Sequence, residues 1–176
     1  MSALSILYIV LPILAVSLCH ALEVVFTARR WASHHSASSD EAHQSLVNIL
    51  FRLSGMNMSA LVIAAVVGFL AVLLSTAALF AGGLWAELVW TTVFMAYSVC
   101  ALINLVRAVT LKGYVPGLVT SIISIPLIAY AAYSLSLVWP WWGMLLFDIL
   151  GLVLALANLY FAQRIGQRQT SKSTKN

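Results

Sequence analysis

Charge is what this sequence has least of. Only 8% of its 176 residues are Asp, Glu, Lys or Arg, and just five are acidic. A water-soluble domain carries about 25%, so a solvated surface of ordinary extent is excluded. Cysteine is nearly absent. Cys19 and Cys100 each lie inside an apolar run and no C-x-x-C occurs, which excludes a disulfide framework and thiol redox chemistry and leaves two small buried hydrophobes. Also missing are an H-E-x-x-H, a phosphate loop, a Ser-His-Asp spacing and a paired acidic motif. No catalytic residue is therefore assigned, and no metal or cofactor is expected. Without a basic patch interleaved with aromatics, nucleic acid is not expected as a partner either.

What is present is hydrocarbon. Hydrophobic residues make up 62% of the chain, and the mean hydropathy is +1.01. In lipid every backbone amide must be satisfied within its own helix or a closed barrel, and the apolar runs show no period-2 alternation. The expected class is an all-α integral membrane protein, a bundle of five transmembrane helices. The spans fall at about 4–27, 59–81, 84–109, 115–138 and 141–162, each long enough for roughly 30 Å of hydrocarbon. Residues 1–163 form one domain, and 164–176 are expected as a polar, disordered cytoplasmic tail. The first run is read as a span rather than a signal peptide, because its start lacks Lys and Arg and no small-x-small site closes it. Ser38 and Glu41 suit a capping box, and Leu46, Ile49, Leu50 and Leu53 recur at helical spacing, so an amphipathic interfacial helix is expected at about 39–54. Gly82-Gly83, Lys112-Gly113 and the run Trp139-Pro140-Trp141-Trp142 supply the tight turns, and Pro126 interrupts the fourth span.

The nine basic residues all land on one side of this arrangement. By the positive-inside rule that side is cytoplasmic, giving an N-out, C-in topology, with a bacterial inner membrane as the simplest setting. Trp85, Trp90, Trp139, Trp141 and Trp142 fall on the other side, as an aromatic belt would.

Helical spacing then sorts the faces. Ala64, Gly68, Ala71 and Ser75 form a small-residue packing stripe on the second span, and Gly151 and Ala155 begin one on the fifth that also carries Asp148 and Asn158. His20 and Glu23 share a face at i and i+3. At about 1.5 Å per residue, they come level with Asn104, Arg107, Thr120 and Asn158. This is an expected inner-leaflet polar layer, in which Glu23 accepts from His20 or pairs with Arg107. It reads either as an ion pair fixing helix register or as a proton relay. Asp148 sits in an outer half without Lys or Arg, where either Tyr130 or Ser134 is expected to bond it, the alternative being a cation or proton site or a contact to a basic residue of another subunit. His34, His35 and His43 are read as solvated loop histidines.

Functionally, the sequence points to a non-catalytic subunit or assembly partner of a larger membrane complex, such as one for transport or energy coupling. Two alternatives are a small oligomeric transporter using the buried acids and a membrane enzyme acting on a lipid or quinone. Expected partners are membrane lipids, other membrane subunits or a second copy.

Overall fold

The computed structural model describes residues 3–35, 58–110 and 112–173. They hold five helices: α1 (Ala3–His35), α2 (Met58–Ala81), α3 (Leu84–Thr110), α4 (Leu118–Ser136) and α5 (Trp141–Ser173). Each contains a stretch long and apolar enough to cross a membrane, namely Tyr8–Ala28, Ser59–Ala81, Leu84–Thr110, Leu118–Ser136 and Trp141–Gly166. The molecule is an all-helical membrane protein. The interfacial helix expected at 39–54, together with His43, lies outside the described residues.

Around the bundle, neighbours run α1, α2, α5, α3, α4 and back to α1, with α2 also touching α3 across the middle. The backbones of α1 and α3 stay apart and meet only through side chains such as His20 and Tyr97, and α4 and α5 touch only slightly. With no hydrophobic force between helices in lipid, close packing and hydrogen bonds have to hold this ring. One apolar cluster gathers Ile9, Val10 and Ile13 of α1 with Val72, Leu79, Trp90, Phe94, Ala131, Leu135 and Phe147. A smaller one joins Ala60 and Ala64 of α2 to Leu159 and Ala162 of α5. Most Ser and Thr hydroxyls bond a carbonyl of their own helix, as Ser75 does to Val72 (3.0 Å) and Ser98 to Phe94 (2.9 Å). Such bonds satisfy the hydroxyl without water.

Helix α5 shows why these faces pack. Its buried positions are Gly143, Phe147, Gly151, Ala155, Leu159, Ala162 and Gly166, steps of three and four that line one side of a helix. Gly151 marks the closest approach to α3. A Cβ there would stand 2.6 Å from Met95 Cβ and 2.8 Å from the Ala96 nitrogen, and backbone cannot move aside. Gly151→Val should therefore cost about 1–3 kcal/mol through overpacking and lower the melting temperature in detergent. Gly143→Ala is the control, since its Cβ would meet nothing closer than 3.5 Å. Equal melting of the two variants would show that the α3–α5 approach does not depend on Gly151.

Several expectations change. The packing stripe expected to carry Asp148 passes instead through Phe147, and one residue is a turn of about 100° at 3.6 residues per turn. Asp148 is exposed. Trp90 belongs to the core rather than a surface belt: it is 2% exposed, its Nε1 donates to Thr76 Oγ1 at 3.3 Å, and its ring stacks on Phe94 at 5.5 Å. Helix α4 begins at Leu118 rather than 115, because Pro116 and the left-handed Gly117 (φ 86°) precede it. Instead of dissolving into a disordered tail at 164, α5 stays helical to Ser173. Gly166 keeps that end against α2, where a Cβ would stand 3.0 Å from Ala60 Cβ.

Candidate functional site: a polar clamp beside an intramembrane cavity

Helix α4 starts with an unmet need. Its first-turn N–H groups have no intrahelical acceptors, and its N-cap residue, Gly117, has no side chain to offer. The acceptor arrives from α1. Glu23 takes the Val119 N–H on Oε1 (3.2 Å) and the Thr120 N–H on Oε2 (2.9 Å), the work an N-cap side chain does elsewhere. The Thr120 hydroxyl adds a 2.7 Å bond to Oε2 and the Tyr114 hydroxyl a 2.7 Å bond to Oε1. A carboxylate at this point also faces the positive end of the helix dipole. Glu23 is thus a cap supplied from another helix. Burial, and beyond it the neighbouring Glu23 carboxylate, push the Tyr114 phenol above its ordinary value although Thr27 opposes this, so Tyr114 remains a donor at neutral pH.

His20, one turn earlier, completes the clamp. Its Nδ1 lies 2.9 Å from Thr120 Oγ1. The one proton of that hydroxyl has two acceptors in reach, Glu23 Oε2 at 2.7 Å and the Gly117 carbonyl at 3.2 Å; with the proton directed to the nearer Glu23, Nδ1 is assigned as the donor, and the chain runs imidazole to hydroxyl to carboxylate. The imidazole stands against Gly117, where an added Cβ would overlap His20 Cε1 and come within 3.1 Å of Val24 Cγ2. On its other side His20 meets Tyr97 edge to face at 6.2 Å.

A second row of bonds ties α4 to α3. Ser121 and Ser124 donate to the carbonyls of Gly117 (2.6 Å) and Thr120 (2.6 Å). Their oxygens then accept from Asn104 Nδ2 (3.3 Å) and the Tyr97 hydroxyl (2.7 Å). Asn158 of α5 donates to the Ala64 carbonyl of α2 at 3.0 Å. Arg107 is 9% exposed on α3.

A cavity of about 140 Å³ remains between α1, α2, α3 and α5. Its walls are apolar along Ala64, Gly68, Ala71 and Val72 of α2 and Leu154, Ala155 and Leu159 of α5, and polar where His20, Tyr97, Asn104 and Arg107 face it. The volume is close to the ~150 Å³ that holds a benzene-sized group.

The structure thus brings His20, Glu23, Asn104, Arg107 and Asn158 to one end of the bundle, but it joins Glu23 to α4 rather than α3. It does not bring Tyr130 or Ser134 to Asp148. Ser134 donates to the Tyr130 carbonyl of its own helix at 2.9 Å, and α4 diverges from α5 beyond the Trp139 turn. Among the described residues Asp148 makes no hydrogen bond. Tyr114, Gly117, Ser121 and Ser124 are the members that sequence reasoning missed. The signal was a Thr-Ser-x-x-Ser run beginning three residues after a glycine at the start of a span.

Fold and site together define a class, a membrane protein with five apolar helices among its described residues, the first and fourth of them clamped by a His-x-x-Glu pair beside an intramembrane cavity. The chain belongs to the family described as "Protein of unknown function with HXXEE motif", whose model matches residues 11–131. His20 and Glu23 meet that pattern, and Val24 stands where it has its second glutamate. No curated protein and no solved structure matches the chain.

Proposed function

We propose that this protein binds a small amphipathic molecule within the membrane, its polar end at His20, Tyr97, Asn104 and Arg107 and its apolar part along α2 and α5. The cavity carries this reading, because it sets the polar groups of α1 and α3 opposite a largely apolar wall formed by α2 and α5. Ligand sites are concave, mostly apolar and furnished with a few convergent polar groups, and buried ionisable groups in a membrane mark function more often than packing. The placement of Lys and Arg supports an N-out, C-in orientation in a bacterial inner membrane, with the polar end in the inner leaflet.

The test is native mass spectrometry after purification in mild detergent. Wild type should carry a bound lipid-like molecule. Gly68→Leu should lose it while melting like wild type, because a Cβ at position 68 meets only Asn158 Nδ2, at 3.8 Å, and the longer side chain enters the cavity. Equal occupancy in both proteins would defeat the proposal.

A second reading, a subunit or assembly partner of a larger membrane complex, is favoured by Asp148. An exposed carboxyl amid apolar α5 residues such as Ile149 and Leu152, 51% and 45% exposed, suits contact with a partner helix rather than lipid. Recovery of a stable complex that Asp148→Ala dissociates would support it.

A further inference from the structure

The charge of the cavity follows from which member of the motif faces it. Glu23 turns to α4, where four bonds hold its carboxylate, and it is not part of the lining. The next residue is part of it. Val24 is 2% exposed and lines the cavity along with Arg107. In a chain with the full motif a second glutamate would stand in this wall. Among the described residues the lining contains Arg107 and no Asp or Glu.

A guanidinium presents five N–H donors in a planar fork that matches carboxylate and phosphate, so it can hold a headgroup alongside its contacts within the protein. The space decides the rest of the ligand. The lining extends along α2 from Leu61 to Val72, roughly 16 Å at 1.5 Å per residue. Its volume of about 140 Å³ takes a headgroup and the start of one chain, not the two chains of a phospholipid.

We propose that the cavity takes a single-chain amphiphile with an anionic head, a carboxylate or a phosphate monoester held by Arg107, and that Val24 is the residue that admits it. This rests on the binding function proposed above and adds the sign of the headgroup and the residue that sets it. A glutamate at position 24 would meet Arg107 across the same cavity and compete with the ligand's anion.

Binding is measured to the purified full chain in an uncharged detergent, with four probes: palmitic acid, palmitoyl lysophosphatidic acid, monopalmitoylglycerol and inorganic phosphate. The two anionic amphiphiles should bind, with the neutral glyceride weaker by about tenfold and phosphate alone not competing. Val24→Glu should weaken the anions by about tenfold or more, while the uncharged, similarly sized Val24→Gln stays within about threefold of wild type. If Val24→Glu does not fold, the Arg107 pair decides: Arg107→Lys should retain the preference for anions and Arg107→Gln should abolish it. A glyceride that binds as tightly as the anions, or equal effects of Val24→Glu and Val24→Gln, would overturn the inference and leave the binding function standing. Competition by inorganic phosphate at equal concentration would overturn the single-chain assignment. If no palmitoyl compound binds wild type, the inference and the function beneath it fail together.

Discussion

Glu23→Ala is expected to lower the melting temperature of the detergent-solubilised protein by roughly 5–10 °C. Bonds to a charged acceptor contribute about 1.5–3 kcal/mol each, and four converge on this carboxylate. They are not independent, and Glu23 is only partly buried, so a net loss of about 2–4 kcal/mol is reasonable, at roughly 2–4 °C per kcal/mol for a chain of this size. Glu23→Gln should fall between wild type and Ala, because it keeps one acceptor oxygen but loses the charge that faces the helix dipole. Thr120→Val should also destabilise and Thr120→Ser should not, since the hydroxyl bridges His20 and Glu23. Scanning fluorimetry on the set is sufficient. A Glu23→Ala protein that melts with wild type would mean that α4 needs no cap from α1.

Gly117→Ala should be as damaging, for two separable reasons. The left-handed backbone at Gly117 (φ 86°) costs a residue with a Cβ about 1–2 kcal/mol, and the new methyl overlaps the His20 ring. The double variant Gly117→Ala/His20→Ala removes the overlap and keeps the backbone penalty. It should therefore be more stable than Gly117→Ala alone, although His20→Ala by itself destabilises. Strictly additive losses would show that His20 and Gly117 do not touch as described.

The five helices were legible because a membrane imposes one rule on all backbone polar groups, and a run such as 59–81 satisfies it only as a helix. Their neighbours were less legible. Helical spacing gives the angle of a residue on its own helix, which sufficed to bring Ala64 and Gly68 to a protein-facing side. It does not say where a stripe of steps of four drifts, and that drift took Asp148 outward while Phe147 turned in. The polar level of His20, Glu23, Asn104, Arg107 and Asn158 followed from counting residues along each span. Which of them bond depends on the ring order of helices, and nothing in the spacing of residues directs Glu23 to α4. With hindsight the reason is local chemistry: a helix opening on Pro116-Gly117 has no side-chain cap of its own, and the nearest carboxylate supplies one. Trp90 was misplaced for a related reason. An indole near the end of a span suits the headgroup region, but Thr76 offered this one a buried acceptor.

The cap on α4 has a consequence for how the protein is made. Glu23 and its Thr120 partner are 97 residues apart in the chain. At a synthesis rate of about 5–20 residues per second, α1 emerges from the ribosome roughly 5–20 s before its counterpart exists. During that interval a histidine and a carboxylic acid travel in a nascent helix with none of their final ligands. Insertion of the first span must therefore tolerate them provisionally, through water, lipid headgroups or the translocation machinery. Until α4 closes onto α1 the cap is missing, so a chain arrested before residue 120 should hold its first helix chiefly through α2, less stably than the complete bundle does.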